Sequence, residues 1–464
     1  MGEDVKNQTR FCQIPQLSKK GSNWHLKSRI IFMAVGLSFI LTTSLMYYLM
    51  LPKSLPLPPL PIVTEHDAIA IDGDADFAAT ALLEGWPGDG SSENPYIIDG
   101  LNIDIDDNDM YCISITNTQV SFIISNCSFT GAITHFIERS PTWHWGVGIF
   151  LENVINCKLV KNIIDSDAYG IAAVNLNSST ITDNICYGSS HDRSIKLENS
   201  TYNTIANNTC NDNQYQGIEL FNSRRNIVVN NTCNGNIEDG IYLHRSDANT
   251  ITDNTCNSNE LGGITLLLSD ANIVENNTCN YNEGEAGIRL EFSNYNAVSD
   301  NTCNNNEWGI NLHESKGNEL FNNTCNNNTR GIYLNDSGSA PWAISDWECI
   351  VANNICNGNT EDGIHIQSSF IVIVYDNICT SNEWGIYLGH SNDITLFNNT
   401  CNYDRIGIYL HRSDVKTITD NTCNYNRIGI FLYCSEIETI ASNTCNGNTE
   451  HDIIEESETG ILPI

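Results

Sequence analysis

The feature that most constrains this chain is a phrase that returns every 22–24 residues over most of its length. Its clearest copy runs Gly240-Ile-Tyr-Leu-His-Arg-Ser246, then Asn249-Thr-Ile251, then Asn254-Thr-Cys256-Asn-Ser-Asn259. The opening glycine recurs at Gly148, Gly170, Gly217, Gly240, Gly263, Gly287, Gly309, Gly331, Gly363, Gly385, Gly407 and Gly429, with Ser194 in its place once. A cysteine recurs in step from Cys186 to Cys445, and only the interval from Cys325 to Cys356 is longer, at 31 residues. Repetition at such a period means a stacked array in which each copy buries its apolar face against the next.

Within a copy, Ile241 and Leu243 alternate with Tyr242 and His244. A period of two belongs to strands, not helices. Three short strands per copy, separated by Asn- and Gly-rich corners, predict one coil of an all-β solenoid. A propeller blade would need about twice this period. Roughly fourteen coils stacked at ~4.8 Å make a rod on the order of 65 Å long. The corners account for the abundance of Asn, which tolerates left-handed backbone and bonds to nearby peptide groups. Two corner sets stack along the rod, Asn231/Asn254/Asn277/Asn301/Asn323 and Asn236/Asn259/Asn282/Asn306/Asn328, so their amides can bond to one another.

This repeat resembles that of NosD-like proteins, right-handed single-stranded parallel β-helices of pectin-lyase type. Asp72-Gly-Asp-Ala-Asp-Phe77, Gly85-Trp-Pro-Gly-Asp-Gly90 and Asn94-Pro-Tyr-Ile-Ile98 are similar to the leader of such β-helices in archaeal secreted proteins. The resemblance covers residues 66–455. It implies the fold, but a fold that hosts lyases, hydrolases, epimerases, binding proteins and adhesins does not by itself imply an activity. For NosD-like proteins it also implies a link to copper delivery.

Charge and hydropathy are unevenly placed. Net charge is −34, while residues 1–51 carry six Lys/Arg against Glu3 and Asp4, so the remainder carries −38. So acidic a surface repels phosphate backbones and excludes nucleic acid as a partner. Ile30–Leu51 is an uncharged stretch of 22 residues, enough to span a bilayer, preceded by Lys19, Lys20, Lys27 and Arg29. The expected order is a cytoplasmic basic segment (1–29), a single transmembrane signal anchor (30–51), a Pro-rich linker (52–61), an N-terminal cap and first coils (62–110), β-helix repeats (111–455) and a short tail (456–464). The rod then lies outside the cytoplasm. A cleaved signal peptide would have a shorter apolar core and a small-residue cleavage site. Phe77 to Leu83 are expected to form a short helix that closes the first coil.

The recurring cysteine holds a position that the resembled family fills with Ile, as Ile164 does here, so it is expected to point inward. Three readings compete: an apolar thiol ladder, disulfides between coils, and thiolate binding of a soft metal such as Cu(I). In-register strands hold Cβ atoms ~4.8 Å apart, wider than the ~3.8 Å a disulfide prefers. Cys349 and Cys434 lie off this row and are expected to be the accessible thiols.

Chemistry is sought on the outward positions of the Gly-Ile-x-Leu strand. One row carries Tyr333, His365, Tyr387 and Tyr409; the next carries His411. Aromatic rings on a flat sheet suit sugar stacking, and the resembled architecture holds oligosaccharide beside this sheet. Two insertions break the repeat and are rich in Trp: one contains Trp143 and Trp145, the other Trp342 and Trp347. They are candidate rims of a binding groove. Glu198, Glu219 and Glu291 are the carboxylates on the same rows, but they form no persuasive catalytic pair. Asp72, Asp74, Asp76, Asp104 and Asp106 are candidates for Ca²⁺, without full EF-hand spacing. The expected function is a membrane-anchored extracytoplasmic β-helix that binds glycan or another envelope component or serves as a structural module. A polysaccharide lyase, hydrolase or epimerase and a copper-handling protein are the alternatives.

Overall fold

The computed structural model describes residues 64–105, 110–131, 146–165, 169–187, 193–338, 348–457 and 460–462. The chain divides into two units, residues 1–61 and Ile62–Ile464, and the described residues belong to the second unit. The expected anchor, its flanking segments and the four tryptophans of the insertions lie outside the described residues. Among the described residues, no helix is long and apolar enough to cross a membrane.

The second unit is a parallel β-solenoid of three sheets. Each strand pairs in parallel with its equivalent one repeat later, as in Ile241↔Ile264 and Leu243↔Leu266. Connections between parallel strands of this kind turn right-handedly. The first sheet has six strands, from Thr64–Glu65 to Thr209–Cys210, and continues as single bridges from Thr209↔Thr232 to Thr422↔Thr444. The second sheet carries the Gly-Ile-x-Leu strands. The third has fifteen strands, from Tyr96–Asp99 to Glu436–Ala441.

Alternation decides what is buried. In the clearest copy Ile241, Leu243, Ile251 and Cys256 are fully buried, so each coil supplies one or two apolar side chains from every wall. Cys186 pairs with Ile164 on one side and Cys210 on the other, which confirms the inward ladder. Among the described residues no cysteine is in a disulfide. Burial pushes most of these thiols up, to about 12 at Cys157, whereas hydrogen bonds from the adjacent ladder thiols draw Cys233 and Cys279 down to about 6. Cys349, expected to be accessible, is buried as well: it sits inside the third sheet and its thiol is 3.6 Å from the Ser315 carbonyl. An alkylating reagent is therefore expected to reach only the half-buried Cys434 and Cys445 among the described thiols of folded protein, and every cysteine after denaturation. Rapid labelling of the remaining thiols without denaturant would refute a closed core.

The opening glycine is explained by the cysteine. A Cβ on Gly309 would lie 2.5 Å from the Gly331 carbonyl oxygen and 2.7 Å from Cys325 Cβ. The strand passes so close to its neighbour that a Cβ at Gly309 would meet both backbone and ladder, and Ser194 is the one copy that carries one.

The corners divide two tasks between adjacent residues. Asn230, Asp253, Asn276, Asp300 and Asn322 adopt left-handed backbone, with φ of 55–57°. The residue after each, Asn231 through Asn323, is buried and forms the ladder. Asn254 Nδ2 donates to Asn277 Oδ1 at 3.0 Å and to the Val228 carbonyl at 2.9 Å, while its Oδ1 accepts from the Asn231 backbone N–H at 2.9 Å. The second set behaves alike, with Asn236 Nδ2 to Asn259 Oδ1 at 3.0 Å. Farther along this second set an aspartate, Asp404, stands in the ladder. A serine ladder (Ser223, Ser246, Ser269) and a third Asn ladder (Asn226, Asn249, Asn272) line the corner between the second and third sheets.

The N-terminal cap is a helix, Asp74–Glu84, longer than expected at its start because Asp74 and Asp76 favour the first turn. Phe77 packs beneath it against Tyr96 and Phe122, both at 5.1 Å between ring centroids. Leu82 and Leu83 face solvent instead of the core. At the other end Gly460–Leu462 folds back antiparallel onto His451–Ser457.

Candidate aromatic face of the second sheet

Pairing in the second sheet lines up its outward residues coil by coil. Asn311, Tyr333, His365, Tyr387, Tyr409 and Phe431 form one row through successive pairings. The expected ligand residues Tyr333, His365, Tyr387 and Tyr409 are thus brought together. Their rings touch without a break. Tyr333 meets His365 edge-on at 4.9 Å, His365 meets Tyr387 at 4.5 Å, Tyr387 meets Tyr409 at 5.4 Å, and Tyr409 stacks on Phe431 at 5.0 Å. His411 belongs to the adjacent row, stacked on Tyr433 at 5.3 Å and edge-on to His390 at 5.2 Å. Burial, with His390 and Arg412 adding, holds His411 below the usual histidine value.

A third row, immediately before the glycines, is absent from the sequence-based expectation. It carries Trp308, Arg330, Asp362 and Trp384. Trp308 joins the strip at Tyr333 (5.8 Å) and Trp384 at Tyr387 (5.0 Å), so the rings run from Trp308 to Phe431 over six coils, roughly 24 Å. The glycine register is visible in the sequence and is the signal that locates this row, but two tryptophans flanking an arginine and an aspartate form no recognisable pattern.

Asp362 is the centre of the face. It is fully buried, and its Oδ2 lies 2.6 Å from His365 Nδ1 and 3.1 Å from Arg330 Nε. Opposite a carboxylate the His365 Nδ1–H donates, so Nε2 is the ring nitrogen turned away from Asp362. Arg330 also pairs with Glu361, and its guanidinium lies over the Tyr333 ring at 5.4 Å. Burial pushes the Tyr387 hydroxyl up to about 12, with Tyr409 and Asp362 adding, so it is a neutral donor. Unmet hydrogen-bonding capacity collects here: Trp308 Nε1, Asn311 Oδ1, Asp362 Oδ1, Trp384 Nε1 and His411 Nδ1 are buried with no partner among the described residues.

The carboxylate candidates lie farther toward the N-terminus on the same sheet, each beside a cation. Glu219 is 3.2 Å from Arg193, Glu198 is 3.6 Å from Lys196, and Glu291 is 2.6 Å from Arg289. The calcium candidates serve as internal acceptors. Asp72 accepts from Thr116 and Asn117, Asp74 from Thr118 and the Gln119 N–H, Asp76 from the Asp72 N–H, and Asp104 from Thr130. Asp106 lies outside the described residues.

Fold and face together define a parallel β-helix protein with an aromatic sheet face. The chain belongs to the family described as "Periplasmic copper-binding protein (NosD)", which it matches over residues 113–285, 262–341 and 340–461. No curated protein matches it. Among solved structures it is similar to a mutant of the periplasmic alginate epimerase AlgG (16% identity, 69% of this chain and 84% of that one, TM-score 0.40). It is also similar to the Azotobacter vinelandii mannuronan C-5 epimerase AlgE4 A-module (15%, 72% and 88%, TM-score 0.40) and the Dettilon tailspike protein (16%, 70% and 61%, TM-score 0.44). At such low identity these likenesses carry no information about substrate.

The family's description names copper, and the described residues do not fit it. No group of three or more His, Cys, Asp or Glu among them is arranged to hold a metal ion. The cysteine row is buried from Cys186 to Cys423, and burial pushes most of its thiols, such as those of Cys256 and Cys356, away from the thiolate that a soft metal requires, while Cys233 and Cys279, each hydrogen-bonded by the thiols on both sides, are drawn down to about 6.

Proposed function

We propose that the protein is a membrane-anchored extracytoplasmic rod that binds polysaccharide along the second sheet. The observation that carries this reading is the unbroken strip of rings from Trp308 to Phe431, carried on a rigid sheet beside a hydrogen-bonded Asp362–His365–Arg330 cluster. Rings present apolar faces to sugar C–H groups, and the interleaved polar atoms set orientation. A solenoid wall needs none of these residues outward for stability, because its core is filled by Ile, Leu, Val and Cys. The uncharged stretch Ile30–Leu51 supports the anchor, with the rod outside.

Retention of the protein on a panel of polysaccharides tests the reading. Tyr387→Ala removes the ring at the centre of the strip and is expected to weaken retention about tenfold or more, with the fold intact by circular dichroism. Unchanged retention in this variant would place binding elsewhere. Soluble product from any polymer would favour a second reading, for which the Asp362–His365 pair is the specific observation: a buried carboxylate that orients an imidazole is a general-base arrangement.

A further inference from the structure

The ring strip alone does not distinguish one glycan from another, but the charges beside it do. Along its leading edge stand Glu307, Glu361, Asp362, Glu383 and Glu450, with Arg330, Arg405 and Arg427 among them. Each of these arginines already has a carboxylate partner on the protein. Arg330 holds Glu361 and Asp362, Arg405 holds Glu383, and Arg427 holds Glu450 at 2.7 Å. Farther along the sheet Arg289 is held by Glu285 and Glu291. An incoming carboxylate or sulfate would have to break one of these pairs, and the rim it approaches carries an excess of negative charge. The polar atoms without a partner among the described residues are of both kinds: Trp308 Nε1 and Trp384 Nε1 donate, while Asn311 Oδ1 and Asp362 Oδ1 accept. A hydroxyl can serve either kind, whereas an anionic group serves only donors and is repelled by Asp362.

We infer that the strip selects a neutral, hydroxyl-rich polysaccharide and rejects polyanionic ones. This rests on the glycan-binding reading above and narrows it. The site is Trp308, Tyr333, His365, Tyr387 and Tyr409, with the partly exposed rim carboxylates Glu361 and Glu383 as the charges that discriminate.

The test uses the full-length protein in affinity electrophoresis through matched polymers that differ mainly in anionic groups: hydroxyethyl cellulose against carboxymethyl cellulose, dextran against dextran sulfate, and galactan against polygalacturonate. At least one neutral member is expected to retain the protein, with its anionic counterpart weaker by roughly tenfold at low ionic strength and the gap narrowing as salt is added. The whole chain is acidic, so a local and a global origin must be separated. The Glu361→Gln/Glu383→Gln variant is expected to narrow the gap; the Glu275→Gln/Asp300→Asn variant, equal in charge but on the third sheet and its corner, is expected to leave it. Equal or stronger retention on an anionic member would overturn the inference. So would a control variant that narrows the gap as much as the rim variant. Absence of retention on every polymer would instead overturn the glycan-binding reading on which the inference stands.

Discussion

Asp404→Asn is expected to make the protein more stable at pH 8, by an amount on the order of 5 kcal/mol, and to change it little at pH 4. Asp404 occupies a rung of the second asparagine ladder. Its Oδ1 accepts from the Asn382 backbone N–H at 2.8 Å and from Asn382 Nδ2 at 3.2 Å, and its own N–H donates to Asn426 Oδ1 at 2.8 Å. An asparagine here would also turn Nδ2 toward a cysteine carbonyl of the preceding coil, as Asn426 does to Cys401 at 3.0 Å. Asp404 has an oxygen in that place, Oδ2, with no partner among the described residues. Burial drives its carboxyl up to about 8 from the ordinary 3.8.

The sign follows from proton counting. Between pH 4 and 8 the folded protein keeps a proton that the unfolded chain has released, so stability falls as pH rises through this window and is level on either side. The full penalty is present only above about pH 8. The amide introduced by Asp404→Asn has no such proton to lose, and the variant should lack most of the slope. Asp239, buried and raised to about 7, acts in the same direction and leaves a residual slope below that pH. Urea midpoints of the two proteins at about pH 5, 7 and 8 measure the effect. Coincident midpoints at the highest of these would show that Asp404 is not held protonated.

Asn254→Ala is expected to destabilise the protein by about 3 kcal/mol, while Asn276→Gly changes it by less than about 0.5 kcal/mol. The two asparagines stand at equivalent corners of adjacent coils but do different work. Asn276 is exposed and left-handed, a conformation glycine adopts freely. Asn254 is buried and saturated. Its loss strands the Asn231 N–H and removes donors from Val228, Thr252 and Asn277. Urea unfolding of both variants at one pH compares them. A cost at Asn254 as small as that at Asn276 would mean that the ladder contributes nothing beyond turn geometry.

That pair also shows where reading the chain stops. An Asn-Asn-Thr corner is legible as a corner and its second Asn as the stacked one, but the letters do not give the burial that makes the two so unequal. Asn230 and Asn231 differ only in the side of the wall on which their side chains fall. Cys349 departs from expectation for the same reason. It lies off the cysteine period, yet the longer coil between Cys325 and Cys356 brings it inside the third sheet. Asp362 is invisible as a site residue in the sequence because its importance lies in what stands beside it one coil away, Arg330, and three residues on, His365.

The sequence by itself determined the architecture, because a period of 22–24 residues with alternation of two leaves only a stack of strand-bearing coils. It also determined the rows, since in-register stacking turns a repeated position into a line of neighbours, and so Tyr333, His365, Tyr387 and Tyr409 could be named together. Only the tertiary structure decided the chemistry of the face. Whether a ring touches the next, whether an arginine is already paired, and whether a carboxyl keeps its proton depend on separations of a few ångströms between coils and on exclusion of water, and neither is written in the order of residues.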